Sequence, residues 1–84
     1  MTLGERVLIL RRRLKMSQSM LARAAAVDTT TIARLEQGRV RDLSGETLVR
    51  LAKALQVSTD VLLGVVDLDE DDEETPRRRV AAVG

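Results

Sequence analysis

Apolar residues recur three and four positions apart through the first 64 residues, with polar and charged groups between them, which is the spacing of helical faces. Leu3, Val7, Leu10 and Leu14 predict a first helix, capped by Thr2 and running to about Lys15, with Leu8 and Ile9 off its apolar stripe. Ser17 predicts the cap of a second helix over about 18–25, with Leu21, Ala22 and Ala25 inward. Asp28 takes the same place before a third, about 29–37, with Ile32 and Leu35 inward; Gly38 supplies the left-handed residue that stops it. Ser44 opens a fourth helix, about 45–55, whose apolar face is Leu48, Leu51, Ala52 and Leu55. Ser58 caps a short fifth through about Leu63, closed by Gly64. No alternating β-branched run predicts a strand. The expected fold is all-α: a compact five-helix domain over 1–64 followed by a short acidic C-terminal tail, 65–84.

In the tail the pattern changes. Val65, Val66 and Leu68 can extend the last element, but Asp67 and the run Asp69–Glu74 are acidic, Thr75-Pro76 breaks the chain, and Arg77-Arg78-Arg79 precedes Val80-Ala81-Ala82-Val83-Gly84. Block charge of this kind predicts a solvated, disordered segment. Two other readings stay open: an acidic competitor for a basic face of the body, and an oligomerisation arm across a partner subunit.

Charge sharpens the division. The net charge is +1, yet residues 1–64 carry a balance of +5 and residues 65–84 a balance of −4. A basic body with an acidic tail suits a polyanionic partner better than the net value suggests. The 84 residues hold no Cys, His, Phe, Trp or Tyr. Disulfides and thiolate or imidazole metal sites are therefore ruled out, and no metal or other cofactor is expected. The carboxylates read as helix caps or as part of the solvated run, and no nucleophile–base pair is recognisable, so the chain is not expected to be an enzyme. Stacking of unpaired bases on aromatic rings is equally unavailable. The apolar run Val7–Leu10 is too short for a signal peptide or a membrane span, and the expected location is the cytoplasm, at the nucleoid.

The informative stretch is QSMLARAAAVDTTTIARLEQ, residues 18–37. It reads as two helices joined by a tight turn near Ala26-Val27. Ala22 is the small residue a close crossing requires, and Leu21, Ala25, Val27, Ile32 and Leu35 turn inward. The stretch resembles the Cro/repressor (Xre-type) helix-turn-helix family. LGERVLILRRR before it and SGETLVRLAKALQVSTDVLLG after it extend the likeness to about residues 3–64. Two positions depart from the family pattern: Ala26 stands where Gly is frequent, and Leu43 where Pro is frequent.

The resemblance implies a lambda-repressor-like fold whose third helix lies in the major groove of duplex DNA. Thr29, Thr30, Ala33 and Arg34 then become the base-contacting residues. Threonine can bond a base edge or meet a thymine methyl, alanine can meet the same methyl, and arginine can bridge O6 and N7 of guanine. The competing reading is that Thr29–Thr31 merely start a helix. Gln18, Thr31, Arg39 and Arg41 are the candidate phosphate contacts, Gln18 at a helix start where free amides attract phosphate; a plain solvent-facing Gln18 is the alternative. Arg12, Arg13 and Lys15 either flank the groove or are solvated. In relatives, residues matching Arg11 and Glu36 form a partly buried ion pair, so that role is structural.

One small domain reads few base pairs, which predicts a homodimer on a two-fold symmetric operator. Its interface is expected at Val61, Leu62, Val65 and Val66, with Leu8 and Ile9 as a second candidate patch. The expected function is transcriptional regulation, most simply repression. An activator or an antitoxin-like protein that holds a partner through its tail are the alternatives.

Overall fold

Every helix begins at a side chain that the sequence places there and ends in one recurring turn. The computed structural model describes residues 1–40 and 42–68; expectations for Arg41 and for residues 69–84 lie outside the described residues. Helices α1 (Leu3–Arg13), α2 (Gln18–Ala25), α3 (Thr29–Glu36), α4 (Gly45–Ala54) and α5 (Thr59–Leu63) follow one another, and the described residues contain no strand. Thr2, Ser17, Ser44 and Ser58 each accept a hydrogen bond from the backbone N–H three residues on, at 3.0–3.3 Å. Each thereby satisfies one of the donors a helix start leaves open. Asp28 occupies the corresponding place before α3, but its carboxylate makes no capping bond.

The helix ends share a Schellman motif, in which the N–H of a left-handed residue donates to the carbonyl three positions back and the N–H after it to the carbonyl five positions back. Lys15, Ala26, Gly38, Gln56 and Gly64 hold the left-handed conformation, with φ between 58° and 80°. At α2, for example, Ala26 N–H donates to the Arg23 carbonyl and Val27 N–H to that of Ala22, at 3.2 and 2.9 Å. Glycine serves at two of the five turns. At Lys15, Ala26 and Gln56 the side chain adds a steric cost of roughly 1 kcal/mol each. Ala26 is the position where the family often has Gly; the other two bear no mark in the sequence, because nothing about Lys or Gln signals a left-handed backbone.

The principal contacts run α1–α3, α3–α2, α2–α4, α4–α5 and α5–α1, a closed ring around the core. Val7, Leu10, Leu21, Ala22, Ala25, Ile32, Leu35, Leu51, Ala52, Leu55, Val61 and Leu62 fill it. Leu68, four residues beyond the Gly64 stop, is also buried there. Val61 and Leu62 are thus core residues and correct the expected dimer surface, since a buried side chain has nothing to offer a second subunit. A five-residue helix packed between α1 and α4 buries adjacent positions that a longer amphipathic helix would divide between core and solvent. Leu14, expected inward, is 36% exposed because α1 ends at Arg13 and the chain turns away. Leu48 is only half-buried.

Gly4 allows α1 to lie directly against the end of α3. A Cβ there would overlap the Leu35 carbonyl oxygen and come within 2.8 Å of its carbon. Overpacking costs about 1–3 kcal/mol, against about 1 kcal/mol regained from helix propensity. The obstacle is backbone and cannot swing aside, so Gly4→Ala is expected to lower the melting temperature by about 5–10 °C in thermal unfolding. An unchanged or higher melting temperature would mean that α1 and α3 separate freely.

Candidate nucleic-acid interface

The face of α3 opposite the core carries the candidate base-reading groups. Ile32 and Leu35 are fully buried and fix the underside of the helix. Thr29, Thr30, Arg34 and Gln37 are exposed, and Ala33 and Thr31 half-buried. Spacings of three and four residues put 29, 30, 33, 34 and 37 on one side of α3, with Thr31 at its margin. Arg39 is exposed just beyond, held by its backbone N–H to the Arg34 carbonyl at 2.9 Å. Of the candidate phosphate contacts, Arg41 lies outside the described residues.

A polar joint couples this helix to its neighbours. Arg11 of α1 donates from Nε to Glu36 Oε2 at 2.7 Å and from Nη2 to Glu36 Oε1 at 2.9 Å. Its third nitrogen, Nη1, donates to the Met16 carbonyl at 2.9 Å, and Gln18 Nε2 donates to Glu36 Oε1 at 3.0 Å. The Arg11 and Glu36 side chains are 11% and 6% exposed, so the pair is largely withdrawn from water. Burial works to raise the Glu36 pKa, but the hydrogen bonds from Arg11 and Gln18, with the charges of Arg11 and Arg12, bring it below the ordinary glutamate range. The hydrogen bond to Glu36 holds Arg11 still more firmly protonated. Three helices therefore meet at one carboxylate: α1 through Arg11, α2 through Gln18 and α3 through Glu36 itself. Gln18 spends one amide N–H on this joint and keeps the other.

Sequence reasoning missed two contributors. Arg50 of α4 donates from Nε to the Ala25 carbonyl at 2.9 Å, at the turn between α2 and α3, and pairs through Nη1 with Glu46 at 2.8 Å. Arg6 of α1 donates to the Leu62 carbonyl at 3.5 Å and lies against Gly64. Neither belongs to a recognisable motif, because each meets a backbone carbonyl far away in the chain.

Away from α3, Met1, Leu8 and Ile9 line a groove on α1. Met1 and Ile9 also border a second, formed with Arg6, Arg13, Gly64, Val66, Asp67 and Leu68. Val65 is 73% exposed beside it. The described residues offer no cluster of acidic, His or Cys side chains able to hold a metal ion, and no helix among them is long and apolar enough to cross a membrane.

A family profile described as helix-turn-helix matches residues 7–62. The chain is 36% identical over 77 residues to the HTH-type transcriptional regulator DicA of Escherichia coli K12; the match spans 90% of this chain and 53% of DicA. It therefore covers about half the length of that relative. Among solved structures it is similar to the DNA-binding domain of the P22 c2 repressor, with a TM-score of 0.71 and 36% identity over 75% of this chain and 82% of that one. It is also similar to the P22 c2 repressor solved with a synthetic operator, with a TM-score of 0.69 and 35% identity over 74% and 92% of the two chains.

Proposed function

We propose that this chain, which belongs to the helix-turn-helix family, is a repressor-like transcriptional regulator that reads duplex DNA in the major groove. The observation that carries this reading is the outer face of α3. Small and hydrogen-bonding side chains, Thr29, Thr30 and Ala33, stand beside a single long cation, Arg34, on a helix whose underside is fully buried. Small groups let the backbone approach base edges, and the arginine supplies the bidentate reach that selects guanine. Thr31, Arg39, Arg41 and the free amide hydrogen of Gln18 hold phosphates on either side. The similarity to a repressor solved on its operator supports this orientation.

The chain acts as a homodimer in the cytoplasm, on an operator with two-fold symmetry. Leu8, Ile9, Val65 and Val66 supply the subunit contact: they line or adjoin the two neighbouring grooves of α1 and the segment after α5, where apolar surface is left open. DNA binding falls to the body, residues 1–64.

Fluorescence anisotropy of labelled duplex at rising salt tests the reading. Neutralising about four phosphates per subunit, or roughly eight per dimer, gives a log–log slope of affinity against salt near −7. Light scattering is expected to show a dimer on the duplex. No binding to any duplex at low salt would overturn the DNA assignment; a single subunit on each duplex at saturation would overturn the dimer.

A further inference from the structure

The turn between α2 and α3 ends in a Schellman motif that satisfies the carbonyls of Ala22 and Arg23 and leaves that of Ala25 without a backbone partner. It is built on a left-handed alanine, Ala26, rather than on glycine. Arg50 of α4 reaches the Ala25 carbonyl with its Nε. Its other nitrogens are held on α4 itself, by Glu46 at 2.8 Å and by Thr47 Oγ1 at 3.5 Å. Both of those partners lie within one helical turn of Arg50, so they orient the guanidinium without adding reach. A cation at this place also suits the negative end of the α2 dipole. The turn is therefore strained from within and clamped from a third helix.

We infer that Arg50 is a positioning residue for DNA reading: it fixes the angle at which α3 leaves α2, and so where Thr29, Thr30 and Arg34 stand relative to Gln18. On this inference Arg50 acts without touching DNA, three of its five N–H donors being taken by Ala25, Thr47 and Glu46. The inference rests on the DNA-binding reading above, but the clamp has a consequence in the free protein. Loss of a charge-assisted hydrogen bond at a strained turn loosens that turn before it loosens the core.

The test compares the full chain with Arg50→Gln and with Arg50→Lys, which keeps the charge but loses the planar fork. Amide hydrogen exchange on the DNA-free proteins is measured first. In Arg50→Gln the amides of Ala26 and Val27 are expected to exchange about tenfold faster relative to core amides of α1 and α4, with Arg50→Lys between it and wild type. Binding to a preferred duplex is then expected to weaken about tenfold while the salt slope stays the same, since no phosphate contact has been removed.

A uniform rise in exchange across all helices would make Arg50 an ordinary stabilising residue and overturn the inference. So would a loosened turn with unchanged preference between duplexes, or a salt slope shallower by about one, which would place Arg50 on a phosphate. If wild type itself prefers no duplex, the DNA reading fails, and the inference fails with it as a statement about DNA. The exchange pattern would still decide whether Arg50 holds the turn.

Discussion

Glu36→Ala is expected to melt roughly 12–40 °C below wild type. The substitution strands the Arg11 guanidinium, 11% exposed, without its two carboxylate bonds and leaves the inward amide hydrogen of Gln18 unpaired. Removing one partner of a buried ion pair costs about 3–5 kcal/mol. A chain of this size has a total stability of only about 4–12 kcal/mol. Circular dichroism on heating gives the measurement, and a melting temperature within about 5 °C of wild type would show that the joint contributes little. Replacing both partners together, Arg11→Leu with Glu36→Leu, is expected to be less damaging than Glu36→Ala alone, because no buried charge is then left bare.

The same carboxylate sets an acid limit. Its pKa is lowered on folding, so the unfolded chain takes up the proton first. The stability it contributes is complete above the ordinary glutamate value of about 4.3 and drains away as pH falls from there through the lower folded value. Glu36→Ala should lack this component, so its stability should fall less steeply over that window than that of wild type.

The second large effect is on DNA and leaves the fold alone. Replacing Thr29, Thr30 and Arg34 together by alanine is expected to lower affinity for a preferred duplex by about 10²–10³-fold, the value of one good bidentate base contact and two smaller ones. All three side chains are exposed, and alanine is the better helix former, so thermal stability should change little. Non-specific binding should persist, because it comes from phosphate neutralisation elsewhere on the surface. Equal affinity of the triple variant and wild type for every duplex would remove α3 as the reading surface.

What the chain discloses before folding is uneven, for physical reasons. Caps are local, so Thr2, Ser17, Ser44 and Ser58 mark helix starts that the structure reproduces, and Gly38 and Gly64 mark stops. The bounds of α2 match the expectation, while α1 ends two residues earlier, at Arg13. Periodicity gave the core face of α2 and α3 fully, because both helices are amphipathic over their whole length. The expected dimer surface wrongly took in Val61 and Leu62, since a five-residue helix is too short for its buried face to be read from its spacing. Gly4, Arg6 and Arg50 were illegible for a different cause: each acts on a backbone carbonyl of a distant element, and carbonyls have no sequence. The α3 surface was readable only through likeness to a family, since Thr and Arg on an exposed helix carry no specific signal by themselves.

The most direct measurement is selection of bound sequences from random duplex DNA by the full-length chain, with heparin present as a competing polyanion. Enrichment of a two-fold symmetric consensus, with half-sites about one helical turn apart and a guanine in each, is the expected result. Recovery of sequences indistinguishable from the starting pool would contradict base reading by Thr29, Thr30 and Arg34.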